Sequence, residues 1–205
     1  MVEEQLRQRG IRDTAVLRAM LTVPREVFVD PVYHPFAYKD GPLPIAHKQT
    51  ISQPYVVAYM ISLLQLSPDD AVLEIGAGSG YAAAVLSRIA RVVYAIERHE
   101  KLAQYAQKRL DVLGYDNVTI IHGDGTKGYP PCAPYEAIVV AAGGPDVPVS
   151  LKEQLAINGR LVIPIGHERR QQNLVRVTRR SDTEFEQESK GPVAFVPLIG
   201  AEGWG

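Results

Sequence analysis

The run Val72-Leu73-Glu74-Ile75-Gly76-Ala77-Gly78-Ser79-Gly80-Tyr81 constrains this chain more than any other. An apolar run predicts a strand, three alternating glycines a tight turn, and the residues from Tyr81 a helix. A strand that turns directly into a helix begins a β-α-β unit, and such units build parallel sheets. The same rhythm continues downstream. Strands are expected at Ala71–Ile75, Val92–Ile96, Val118–Ile121, Ala137–Val140 and Leu161–Ile165, with helices at Tyr81–Ile89, Lys101–Leu113 and Val149–Leu155. Near-continuous apolar strands are buried on both faces, as parallel strands are. Beyond Gly166, Asn173–Thr178 and Glu184–Ser189 alternate like an antiparallel pair, and Val193–Pro197 adds an extended piece. The expected fold is α/β: a doubly wound, mostly parallel Rossmann-like sheet with N-terminal helices and an antiparallel edge.

Upstream, Glu3 to Arg9 reads as a short helix closed by Gly10. Asp13 caps a second helix, with Val16, Leu17, Met20 and Leu21 on one face, and Pro24 stops it. Residues 25–48 are rich in proline and aromatics, which predicts an ordered wrapping loop. Pro54 then opens a helix to about Leu66. The 205 residues suit one domain. Within it we expect a helical cap and active-site segment at 1–66, a ligand-binding α/β core at 67–166 and antiparallel strands at 167–205. Net charge is −1, which gives no overall drive toward nucleic acid. No apolar run approaches the roughly 20 residues of a spanning helix, and the acidic start lacks the apolar core of a signal peptide. One cysteine, Cys132, excludes an internal disulfide. The expectation is a cytoplasmic monomer with no membrane and no nucleic-acid partner.

The glycine turn narrows the ligand. Dinucleotide folds space their glycines G-x-G-x-x-G so that a pyrophosphate meets the helix start. Here the third glycine comes one residue early, and Glu74 is expected to place negative charge where a phosphate would approach. A cationic, phosphate-free nucleoside suits such a turn, and S-adenosyl-L-methionine is the candidate. Gly76, Gly78 and Gly80 let backbone come close to it. Glu97, about 20 residues on at the next strand end, is placed to accept from ribose hydroxyls. Asp124, in Gly123-Asp124-Gly125, can accept from an adenine amino group, and Ala141 begins a small-residue stretch with room for the sulfonium.

Gln49-Thr50-Ile51-Ser52-Gln53-Pro54 sets two hydroxyls and amides at a helix start, where backbone N–H groups are also free. A carboxylate fits there, although a serine at that place is also what an ordinary N-cap looks like. His34, His47, His99, His122 and His167 show no metal-ligand spacing, so no metal is expected. Arg169-Arg170 and Arg179-Arg180 flank the antiparallel pair as solvated turns.

At these residues the chain resembles the protein-L-isoaspartate O-methyltransferase family. The resemblance runs through Val23-Pro24-Arg25, Phe28-Val29, Pro42 to Ile45, Gln49 to Ala58, Val72 to Tyr81, Glu97, Gly123 to Gly125, Gly159 to Gly166 and Phe195 to Leu198. Thr-Ile-Ser-Gln-Pro is its most specific part; the glycine turn is shared by methyltransferases at large. The resemblance implies methyl transfer from S-adenosyl-L-methionine, leaving S-adenosyl-L-homocysteine, to the α-carboxylate of L-isoaspartyl residues, and to D-aspartyl residues, in damaged proteins and peptides. The ester then closes to a succinimide, which regenerates some normal aspartate. It implies Ser52 and Thr50 as catalytic residues. Donor-site residues would be Ile51, Gln53, Glu74, Gly76, Ala77, Gly78, Ser79, Gly80, Glu97, Arg98, Asp124, Gly125 and Ala141. Gln49, Val196, Pro197 and Leu198 would hold the substrate peptide. Two positions depart from the family pattern: Lys48 where glycine is usual, and Ala194 where arginine often stands. Other readings are a methyltransferase for another carboxylate or a small molecule, aspartate methylation on a dedicated peptide, and a non-catalytic donor-binding module.

Overall fold

A computed structural model of the chain describes residues 1–168 and 171–205. After a helical turn at Val2–Arg7, the Asp13 side chain accepts hydrogen bonds from the amides of Ala15 and Val16 at 2.9 and 3.0 Å and starts α1 (Thr14–Thr22). The buried arc of α1 runs from Ala19 through Val16 and Met20 to Leu17. Leu21, expected on that face, is 73% exposed, because at about 100° per residue it falls beyond the edge of the arc. Residues 25–48 are ordered as expected, with 3₁₀ turns at Arg25–Phe28 and Pro31–Phe36. They also contain β1 (Leu43–Pro44), which pairs antiparallel with β2 (Thr50–Ile51). This small pair had no signal in the sequence, since two-residue strands are too short to show a period.

Between β1 and β2, His47 and Lys48 both stand at φ +58°. A left-handed backbone costs a residue with a Cβ roughly 1–2 kcal/mol, which explains why glycine suits the position of Lys48. Lys48→Gly should therefore stabilise the fold by about 1 kcal/mol, since glycine's looser unfolded state offsets part of the relief. A thermal midpoint raised by about 2–4 °C checks this, and an unchanged or lower midpoint contradicts it.

Pro54 opens α2 (Pro54–Leu64). The alternation follows: β3 (Ala71–Ile75), α3 (Tyr81–Ser87), β4 (Val92–Glu97), α4 (Glu100–Val112), β5 (Val118–His122), β6 (Tyr135–Val140), α5 (Val149–Glu153), β7 (Leu155–Glu168), β8 (Gln171–Arg179) and β9 (Phe185–Val193). The seven-stranded sheet runs β5-β4-β3-β6-β7-β8-β9. Pairing is parallel from β5 to β7 and antiparallel from β7 to β9. All five residues of β3, the central strand of the parallel part, are buried. Val72 faces one core, with α1, α2 and α3; Leu73 and Ile75 face the other, with Leu151 and Leu155.

The largest departure from expectation is β7. Its first residue was expected to end a helix, and Ala156–Arg160 fell outside the expected elements; this stretch carries Asn158-Gly159, a pair that favours turns. In the structure Asn158 takes a left-handed φ of +65° and the pairing with β6 shifts between Tyr135 and Ala137. The turn signal is thus absorbed as an irregularity inside a longer strand.

The strand order reverses between β3 and β6, and a crevice opens there at the carboxyl ends of the strands. Ala141 donates to the Ile75 carbonyl at 2.8 Å and fixes the two strand ends together. The tail reaches the same edge. Gly143 donates to the Val196 carbonyl and Leu198 donates back to Gly143, both at 2.8 Å, so the extended piece after β9 is laid across the end of β6.

Candidate active site

One cavity of about 920 Å³ lies at this edge. It is lined by the ends of β3, β4 and β6, the first turn of α2, and residues 190–199. At one end, the backbone turns after Ile75 through Gly76 and Gly78, at φ +92° and +54°. Gly76 and Ala77 donate to the Ile96 carbonyl at 2.8 and 3.1 Å, which ties the turn to β4. Glu97 closes that end. Its Oε2 accepts from the Gly78 amide and its Oε1 from the His99 amide, both at 2.9 Å. A carboxylate oxygen has two acceptor sites, so each keeps one for a vicinal diol. The ribose role expected for Glu97 fits this geometry.

Gly80 does not line the cavity. It caps α3 at φ +87°, and a Cβ there would lie 3.3 Å from Leu110 Cδ1 on α4. The third glycine serves helix packing. Asp124 is also absent from the lining. Its Oδ1 accepts from the Thr126 amide and hydroxyl at 3.0 and 2.7 Å, and its Oδ2 from the Ala201 amide at 2.8 Å. Burial acts to raise its carboxyl, but the bonds from Ala201 and Thr126 outweigh it and hold the group below its ordinary range. Asp124 thus anchors the tail, and one acceptor site remains to it.

Glu74 is corrected more sharply. It is 1% exposed, and burial, with Glu97 nearby, pushes its carboxyl well above the usual range. Burial thus works against the negative charge expected of Glu74 unless a cation stands beside it. Its Oε2 is buried with no hydrogen-bond partner among the described residues. A ligand cation such as an ammonium or sulfonium is the chemical complement of that carboxyl, whereas a phosphate is not. The residues present therefore fit the donor.

The raised Glu74 pKa makes a stability prediction. Its contribution is whole below the unfolded value of about 4.3, drains as pH rises, and is gone above the native value. Stability of the ligand-free protein should fall with pH by up to about 1.4 kcal/mol per unit across that window, relative to Glu74→Gln, whose amide does not titrate. Urea unfolding of both proteins at several pH values checks this. A difference between them that does not vary with pH contradicts it.

The same cavity is lined by Gln49, Thr50, Ile51, Ser52 and Gln53. Ser52 is not an ordinary cap: the N-cap of α2 is Gln53, and no side chain caps the helix. The first-turn amides are left open, and the Ser52 hydroxyl, half-buried on the cavity, makes no hydrogen bond among the described residues. A hydroxyl and open amides at one helix start can hold a carboxylate. Val196, Pro197 and Leu198 line the cavity, as do Ala77, Ser79, Arg98, Gly125 and Ala141. The exposed Ala194 lines it too.

One residue of the site has a role that sequence reasoning missed. Arg25 is fully buried, donating from Nε to the Ala37 carbonyl at 2.8 Å and from Nη2 to the Ser52 carbonyl at 2.7 Å. Its guanidinium lies 4.8 Å from the centroid of the Tyr81 ring. It braces the backbone of Ser52 from beneath. The only signal was its place in Val23-Pro24-Arg25, an arginine within an apolar context.

Arg179 donates to the Glu153 and Leu155 carbonyls and pairs with Asp182, and Arg180 pairs with Glu186, so both are structural. The Arg169-Arg170 turn lies outside the described residues. Among the described residues, no group of three or more His, Cys, Asp or Glu could hold a metal ion. No helix there is long and apolar enough to cross a membrane.

Residues 1–203 match the family model for protein-L-isoaspartate(D-aspartate) O-methyltransferase. Protein-L-isoaspartate O-methyltransferase 2 of Pelobacter propionicus is 59% identical over 204 residues, which cover 100% of this chain and 91% of that one. A namesake from Rhodopseudomonas palustris is 55% identical over 204 residues, covering 100% of this chain and 94% of its own. A solved protein-L-isoaspartate O-methyltransferase superposes with a TM-score of 0.87 at 31% identity, covering 99% of this chain and 67% of that one. A Plasmodium falciparum structure described as of this kind, in complex with S-adenosyl-L-homocysteine, superposes with a TM-score of 0.83 at 28% identity, covering 97% and 96%.

Proposed function

The chain belongs to the protein-L-isoaspartate(D-aspartate) O-methyltransferase family, and from that premise we propose how its residues methylate the α-carboxylate of isoaspartyl residues. S-adenosyl-L-methionine, when bound, supplies an electrophilic methyl group on a sulfonium. The turn at Gly76 to Ser79 and the carboxyl groups of Glu74 and Glu97 hold the donor, with Ile51, Arg98, Gly125 and Ala141 shaping its pocket. Ser52, Thr50 and the first amides of α2 bind the acceptor carboxylate. Gln49 and Val196 to Leu198 flank the peptide. The single observation that carries this reading is that the unpaired Ser52 hydroxyl and the Glu97 end of the glycine turn open into one cavity.

The acceptor carboxylate is ionised at neutral pH, its pKa lying near 4, so no general base is needed. Displacement at a methyl carbon demands approach along one axis, which makes orientation the main lever. A well-aligned pair gains about 7–11 kcal/mol over a free encounter. Ser52 gives its hydroxyl hydrogen to one carboxylate oxygen and so aims the other; it attacks nothing itself. Residues 1–66 thus supply the acceptor side, 67–166 the donor side, and 167–205 the closing wall of one domain. With net charge −1 and a single cysteine, the protein is read as a cytoplasmic monomer that acts on protein and peptide substrates and not on nucleic acid. Crystals grown with S-adenosyl-L-homocysteine and an isoaspartyl peptide test the reading. The peptide carboxylate is expected within hydrogen-bond distance of Ser52 Oγ, and a carboxylate bound elsewhere contradicts it.

A further inference from the structure

We propose that Arg9, with Lys190 as its companion, selects isoaspartyl segments that carry a second carboxylate beside the damaged residue. This rests on the acceptor reading given above. The lining of the cavity is divided by charge. Its acids among the described residues are Glu74 and Glu97, both at the donor end, with the cation Arg98 next to Glu97. The other two cations of the lining, Arg9 and Lys190, stand with Tyr55 and Tyr59 of α2, the helix whose first turn is read above as the acceptor site. Their paired acids, Asp40 at 2.6 Å and Glu188 at 2.9 Å, stand outside the lining.

Arg9 is held in place before any substrate arrives. Its guanidinium carbon lies 3.6 Å from the centroid of the Tyr55 ring. Tyr55 stacks on Tyr59 at 5.8 Å and 10°, and the Tyr59 hydroxyl donates to the Lys190 carbonyl at 3.1 Å. One column therefore joins the N-terminal turn, the first face of α2 and the end of β9, and carries both cations. Asp40 takes only Nη1, so the other guanidinium N–H groups have no hydrogen-bond partner among the described residues. An immobilised planar fork with spare donors loses little freedom when a carboxylate docks. Surface pairs such as these two are weakly held and yield to a competing carboxylate. The charge division also favours a doubly anionic segment before transfer and weakens the hold once esterification removes one charge.

The full-length enzyme is assayed for label transfer from the donor to two isoaspartyl peptides that differ only in flanking residues, Glu or Gln. The expected kcat/KM is about tenfold higher for the Glu peptide at low ionic strength, through KM, and the ratio shrinks at about 0.5 M salt. Arg9→Gln should bring the ratio close to one, and Arg9→Lys should leave it intermediate. An unmodified enzyme without the preference, or a preference that survives Arg9→Gln, overturns the proposal. Equal losses on both peptides in Arg9→Gln mark Arg9 as a brace and overturn it too. No transfer to either peptide by the unmodified enzyme would strike the acceptor reading itself and take this inference with it.

Discussion

Arg25→Ala is expected to lose about 3–5 kcal/mol of stability and to lower turnover by a further factor of ten or more in the fraction that remains folded. The stability loss has two sources. The carbonyls of Ala37 and Ser52 lose their donors at 2.8 and 2.7 Å, and a buried polar group left unpaired costs about 1–3 kcal/mol. The departing side chain also leaves a cavity against Tyr81 and Phe28, which meet edge to face at 5.5 Å. The activity loss follows from geometry, because the bond to the Ser52 carbonyl fixes where α2 begins. Burial lowers the Arg25 pKa, a sign that the charge is costly here, and its Nη1 is buried without a hydrogen-bond partner among the described residues. Among the described residues no carboxylate forms an ion pair with it, and what it does is hold the two carbonyls in place. Arg25→Lys separates the two effects, since one ammonium cannot span both carbonyls in the plane a guanidinium uses. It should fold better than Arg25→Ala and still show reduced kcat, with donor affinity nearly unchanged. Urea unfolding, calorimetric titration with S-adenosyl-L-homocysteine and steady-state kinetics check these outcomes together. A stable Arg25→Ala protein with ordinary turnover contradicts them.

Ser52→Ala is expected to lower kcat by about a hundredfold, the scale on which a small misplacement of reacting groups costs rate. Donor affinity should stay within about twofold, because no bond within the donor end passes through the Ser52 hydroxyl. Stability should change by less than about 1 kcal/mol, because that hydroxyl caps nothing in the folded chain. Ser52→Thr keeps a hydroxyl and should recover part of the rate. A loss of donor affinity as large as the loss of rate would place Ser52 in donor binding. Ordinary turnover would remove it from the reaction.

Much of this was legible before any coordinates. β3 begins and ends at the expected residues, Ala71 and Ile75, because a buried parallel strand is written as an unbroken apolar run. α4 shows its period over 13 residues and shifts by one residue from expectation. Elements whose boundaries depend on a local conflict were harder. Asn158-Gly159 punctuates like a turn, yet pairing with β6 at Leu155 and again from Arg160 joins both sides of it into one strand. In the cavity, lining residues next to one another in sequence were readable, since Thr50 to Gln53 and Gly76 to Ser79 line it as short continuous segments. Residues whose role depends on distant partners were not. Asp124 is claimed by Ala201, 77 positions away. Arg25 reaches a carbonyl 27 positions on. Glu74 changes character because burial, invisible in a linear pattern, decides which protonation state is favoured.

Transfer of labelled methyl from S-adenosyl-L-methionine to two peptides identical except for one residue, L-isoaspartate or L-aspartate, is the most direct test of the whole scheme. The isoaspartyl peptide should be labelled at least a hundredfold faster, with one S-adenosyl-L-homocysteine released per methyl and with label lost again under mild alkali, as an ester requires. Equal labelling of both peptides, or donor binding without labelling of either, would contradict it.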